Sequence, residues 1–102
     1  MASYPPGVSD GEFVRFDGWD IPGFDVGQYF TTLSGDDRIN KLREYSAEYG
    51  ARFFAFNTGG WAKYWDTIDP SKFVKAPGSS LYIRIQYSGW QFYPRKLLSS
   101  IF

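Results

Sequence analysis

Apolar positions along this chain recur with two different periods, and the change of period predicts where its elements lie. Over 81–87 the apolar side alternates strictly. Leu81, Ile83, Ile85 and Tyr87 share one face, and Tyr82, Arg84 and Gln86 share the other. A period of two is the pattern of a strand. Over 35–49 the spacing becomes helical: Ile39, Leu42, Ser46 and Tyr49 line one stripe, flanked by Tyr45 and Ala47. Arg38, Lys41, Arg43, Glu44 and Glu48 are then expected to face water. Ser34 stands at the N-cap, with Asp37 three residues on as a variant capping box. Asp36 and Asp37 place negative charge at the positive end of the helix dipole, and Gly50 is positioned to stop the helix at C′. A helix capped this way predicts a loss of ~1 kcal/mol in Ser34→Ala.

Shorter segments fill in the rest. Residues 13–16 and the aromatic run 52–56 read as strands. Asn57-Thr58-Gly59-Gly60 reads as a turn, with 61–65 as the returning strand of a hairpin. Residues 90–93 are expected to form a last strand, ended by Pro94. Residues 1–12 read as an extended arm, and 17–25 as a turn-rich stretch in which Pro22-Gly23 suits a type II turn. Residues 66–80 read as a loop, with one turn of helix after Asp69-Pro70. In the tail, Leu97, Leu98, Ile101 and Phe102 are expected to dock on the body. One helix among about five short strands predicts a single α+β domain over 1–102, the helix packed on a curved antiparallel sheet. The alternative is an all-β, jelly-roll-like sandwich in which 35–49 contributes only a short helix.

Composition narrows the chemistry. The 102 residues contain no Cys and no His, which excludes disulfides, imidazole catalysis and the usual zinc and haem sites. No cofactor or metal is expected. Eleven basic and eleven acidic residues leave no net charge, so no field draws the chain to nucleic acid or to an anionic membrane. No apolar run is long enough to span a bilayer, so no membrane insertion is expected. The start, Met1 to Pro6, lacks the charged and apolar regions of a signal peptide. A cytoplasmic location is the expectation, with a secreted protein lacking its signal peptide as the alternative.

Aromatics are in surplus. Ten Phe, eight Tyr and four Trp make up 22% of the chain, more than a core of this size readily absorbs. Three Trp follow a glycine (Gly18-Trp19, Gly60-Trp61, Gly89-Trp90), which leaves a ring face open to a neighbour. Sugars stack C–H patches on such faces and offer hydroxyls to nearby polar groups. Trp61 has Asn57 and Lys63 beside it, and Trp90 has Gln91 and Gln86. Asp17, Asp20 and Asp25 suit turn capping. They lack the spacing of a calcium loop, and a domain this small has little room for a glycosidase cleft. Tyr82, Arg84 and Gln86 on one strand face suit either a polar ligand or a solvated sheet face. The expected ligand-binding set is Asp20, Asp25, Asn57, Trp61, Lys63, Tyr82, Arg84 and Trp90.

Two stretches, Asp20-Ile21-Pro22-Gly23-Phe24-Asp25-Val26 and Ala55-Phe56-Asn57-Thr58-Gly59-Gly60-Trp61-Ala62-Lys63, flank a capped helix and precede Leu81-Tyr82-Ile83. The arrangement over 13–87 resembles the PAN/apple domains. The resemblance implies a helix cradled by a curved antiparallel sheet and non-catalytic binding of carbohydrate or protein. The chain departs from that pattern in having no cysteine: Phe53 stands where a bridging strand cysteine would fall. The expected function is therefore a lectin-like domain for carbohydrate or glycoprotein, not an enzyme. It is expected to gain avidity as a homo-oligomer through the apolar tail. A protein-interaction module using the same aromatic surface is the alternative. Trp61→Ala or Trp90→Ala is expected to weaken binding without unfolding the domain.

Overall fold

A computed structural model describes residues 3–50 and 52–93. The long central pair of the sheet is β2 (Phe13–Asp20) and β6 (Val74–Arg84). Around it lie β1 (Val8–Ser9), β3 (Asp25–Gln28), β4 (Ala55–Asn57) and β5 (Trp61–Lys63). The spatial order is β1-β2-β6-β4-β5-β3, and every neighbouring pair is antiparallel. Among the described residues there is one α-helix, α1 (Gly35–Glu48). The domain is thus α+β, a helix with an open six-stranded antiparallel sheet, and the all-β alternative falls with the 14-residue helix.

Both faces of the sheet are packed. The alternation of side chains sends Phe13, Phe56, Ala62 and Tyr82 to one face, where Ile39 and Leu42 of α1 meet them together with Phe53. Val14, Phe16, Ala55, Leu81 and Ile83 point to the other face. There Ile21, Trp65, Ile68, Phe73 and Tyr93 cover them, with Tyr4, Trp19, Tyr87 and Trp90 packed around the rim. Tyr82 and Arg84 therefore do not line a solvated sheet face. Tyr82 is 8% exposed beneath the helix layer, and Arg84 donates to the Ser46 hydroxyl of α1 at 2.9 Å.

Pairing overrides propensity at several boundaries. β6 begins at Val74, although Val74-Lys75-Ala76-Pro77-Gly78-Ser79-Ser80 carries turn residues, because β2 supplies a ladder for it (Trp19↔Lys75, Asp17↔Ser80). β2 in turn runs through the turn-rich Asp17-Gly18. A register shift there is absorbed by Gly18 at φ 79, an angle that favours glycine. β3 carries no alternation and exists through its pairing with β5. The arm also has structure: Val8–Ser9 pairs with β2, and Tyr4 packs against Phe73 and Tyr93. Residues 90–93 form no strand, and β6 stops at Arg84, short of Tyr87. The 3₁₀ turn Pro70–Lys72 lies where the sequence placed it, capped by Asp69. The expected docking of Leu97, Leu98, Ile101 and Phe102 lies outside the described residues.

The helix ends differ from expectation. Ser34 has the extended backbone of an N-cap, but its side chain makes no capping hydrogen bond. Gly50 is not the left-handed C′ residue; Tyr49 closes the helix through its own N–H to Tyr45 O. Arg38 does not face water. Its guanidinium donates to the carbonyls of Phe30 (3.2 Å), Leu33 (2.6 Å) and Thr58 (2.9 Å), tying the helix entry to the hairpin tip.

Candidate functional site

The eight expected ligand residues do not converge. Tyr82 and Arg84 belong to the helix-covered face. Trp90 is half-buried on the opposite face, its indole N–H donating to Arg84 O at 3.0 Å. Trp61 is exposed on β5, 40% open to solvent. Only Asp20, Asp25, Asn57 and Lys63 come together, and their bonds are internal.

Asn57 organises the hairpin: its Oδ1 accepts from Gly59 N at 3.0 Å and Trp61 N at 3.2 Å. Its Nδ2 lies 3.4 Å from Asp20 Oδ2. The turn that follows needs Gly60, at φ 90 and hard against Tyr29 O, where a Cβ would not fit. Lys63 is 2% exposed, and its ammonium donates to Gly23 O and to Asp25 Oδ1, each at 2.8 Å. The other oxygen of Asp20, Oδ1, is buried without a partner. Burial pushes the Asp20 carboxyl above its ordinary value, against the opposing pull of the Lys63 charge and its hydrogen bonds.

This network fixes a neighbour the sequence did not single out. Phe24 lies between Gly23 and Asp25, the two residues that Lys63 grips. Its backbone is left-handed, φ 61, a conformation that costs a non-glycine residue about 1 kcal/mol or more. A further bond, Tyr64 N to Phe24 O at 3.1 Å, holds the segment against the end of β5. Phe24 is nonetheless 53% exposed, so burial does not explain the strain.

Phe24 borders a cavity of about 310 Å³ lined also by Ile21, Tyr64, Trp65, Asp66, Thr67, Asp69 and Lys72. Trp65 is 5% exposed and stands 6.1 Å from Phe24, ring to ring, while Tyr64 is 42% exposed. The Trp65 indole N–H is buried and has no acceptor among the described residues. Asp69 Oδ1 accepts from the Ser71 hydroxyl and N–H, and these bonds hold its carboxyl below the usual range. The Tyr87 hydroxyl, which donates to Trp65 O, is pushed up to about 12 by burial and by the nearby Tyr64 and Asp66. None of the eight expected residues lines this cleft. Its signal in the sequence was an adjacency, exposed aromatics at 24 and 64 beside a polar loop. Only the pairing of β3 with β5 joins them.

Elsewhere Asp17 bonds Arg15 and the Ser80 hydroxyl, the structural role that turn-rich Asp residues suggest. Among the described residues no three acidic side chains are placed to hold a metal, and no helix is long and apolar enough to cross a membrane. Comparison with family models, with curated proteins and with solved structures finds no match to this chain. The PAN/apple resemblance rests on the residues quoted for it.

Proposed function

We propose that this domain binds carbohydrate, without catalysis, in the cleft between the Pro22-Gly23-Phe24 turn and residues 64–72. The observation that carries this reading is a pair of solvent-open rings, Phe24 and Tyr64, at a cavity with a polar rim. Ring faces accept the C–H patch of a sugar, and Asp66, Thr67, Asp69 and Lys72 offer hydrogen bonds to its hydroxyls. The volume of about 310 Å³ lies at the low end for small-molecule sites, roughly 300–1,000 Å³, which suits one or two sugar rings better than a long chain. The left-handed backbone at Phe24 is consistent with this use of its ring.

Asp25 and Lys63 keep a role in this reading as positioning residues that hold Phe24 in place, and Trp61 and Trp90 lie outside the cleft. A protein-interaction module is the second reading. It is favoured by Val26 and Trp61, also exposed on β3 and β5 beside the cleft. A glycan array with folded protein separates the two. The expected result is a defined set of glycans whose binding is lost in Tyr64→Ala and kept in Trp61→Ala. A blank array overturns the carbohydrate reading in favour of a protein partner.

A further inference from the structure

We infer that the sugar this cleft takes carries a free, protonated amine: a hexosamine unit rather than a neutral or N-acetylated one. The inference rests on the carbohydrate reading above and deepens it. The rim holds two carboxylates, Asp66 and Asp69, against one ammonium, Lys72, a formal charge of −1. The other cation nearby, Lys63, is buried and engaged by Asp25 and Gly23 O, so it does not offset the rim. The hydrogen bonds from Ser71 keep Asp69 ionised and occupy only its Oδ1. Asp66 is exposed, with no hydrogen-bond or ion-pair partner among the described residues.

The walls agree with the rim. An ammonium over the face of Phe24 or Tyr64 gains cation–π attraction, and the same rings stack on the sugar's C–H face. An acetylated amine forfeits both the ion pair and the cation–π term. Lys72 is the one rim group that opposes a cationic ligand, so its charge tunes selectivity.

The test is calorimetric titration with a glucosamine tetramer and with its fully N-acetylated counterpart. It is run at low salt, at a pH where the sugar amines are protonated and the carboxylates ionised. The expected preference for the free amine is about fivefold, from one exposed ion pair plus one cation–π contact. Asp66→Asn is expected to cut that preference to about twofold, the share left to the rings and Asp69, and Lys72→Gln to enlarge it. Both side chains are exposed, so both variants keep the parent melting temperature. Equal binding of the two tetramers, binding of neither by a protein that the array shows to take other glycans, or a preference that Asp66→Asn leaves undiminished, overturns the inference and leaves the carbohydrate reading standing. Loss of both tetramers together with a blank glycan array removes that reading and this inference with it.

Discussion

The two faces of the sheet bury similar side chains by different means. On one face a regular element, α1, lays Ile39 and Leu42 across Phe13, Phe56 and Tyr82. On the other no helix of comparable length is present among the described residues. Ile21, Trp65, Ile68, Phe73 and Tyr93 come from turns, loops and a single 3₁₀ turn. A helix covers a sheet with a continuous apolar stripe, and the concavity beside α1 is lined by charged and polar side chains such as Glu12, Arg43 and Glu44. Loops anchored by single large rings leave gaps between them, and the aromatic cleft is such a gap. Large rings serve both faces, Phe13, Phe53, Phe56 and Tyr82 on the helix side and Phe16, Phe54, Trp65 and Phe73 on the loop side.

The sharpest test of that contrast removes one ring from each face. Phe56→Ala and Phe16→Ala each delete a side chain with no solvent exposure, and each is expected to cost about 3–5 kcal/mol in chemical denaturation. A much smaller cost for Phe16→Ala would show that the loop-covered face collapses onto the hole, and the two faces would then differ in rigidity. Next in size is Lys63→Ala, which strips the buried ammonium from Asp25 and from the turn. Because Asp25 is one-third exposed, the expected loss is about 2 kcal/mol, less than for a fully buried pair, and it should be accompanied by loss of glycan binding. Intact binding in that variant would show that the Phe24 turn holds itself.

Asp20 gives a pH signature with a definite sign. Its carboxyl titrates higher in the folded chain than in the unfolded one, so the native state binds the extra proton. Its contribution to stability is therefore present in acid and is lost as pH rises from the ordinary carboxylate value through the raised one. Asp20→Asn should be more stable than the parent at neutral pH, with the gain vanishing in acid. A constant difference across the titration would contradict this. Phe24→Gly exchanges a strained, half-exposed ring for a residue at ease at φ 61. Stability should move by no more than about 1 kcal/mol in either direction while glycan binding is lost. A folded variant that still binds would take Phe24 out of the site. The smallest effect belongs to Ser34→Ala: without a side-chain cap bond to lose, the cost should fall below about 0.5 kcal/mol.

Parts of both sheet faces could be read in advance. The stripe Ile39, Leu42, Ser46 and the alternation Leu81, Ile83 are periodic, and periodicity reports burial wherever a regular element meets a flat partner. Tyr82 and Arg84 were misplaced because alternation shows that two faces exist without saying whether the second is wet. Asp20, Asp25, Asn57 and Lys63 stood in one expected ligand set with the Trp residues, because a polar residue beside an aromatic reads the same whether it binds a ligand or braces a turn. Only the bonds of Lys63 to Gly23 O and Asp25 distinguish the two.

By itself, then, the sequence determined the class of fold, the helix, the hairpin and its turn, and the exclusion of thiol and imidazole chemistry. Those follow from local spacing and from which atoms are present. The tertiary structure decided that residues 74–80 and 25–28 are strands, that both faces of the sheet carry a packed cluster, and that Phe24 meets Tyr64 and Trp65 around a cleft. A ladder between segments distant in sequence supplies hydrogen bonds that no local propensity encodes. A cleft is the space left over when such segments meet.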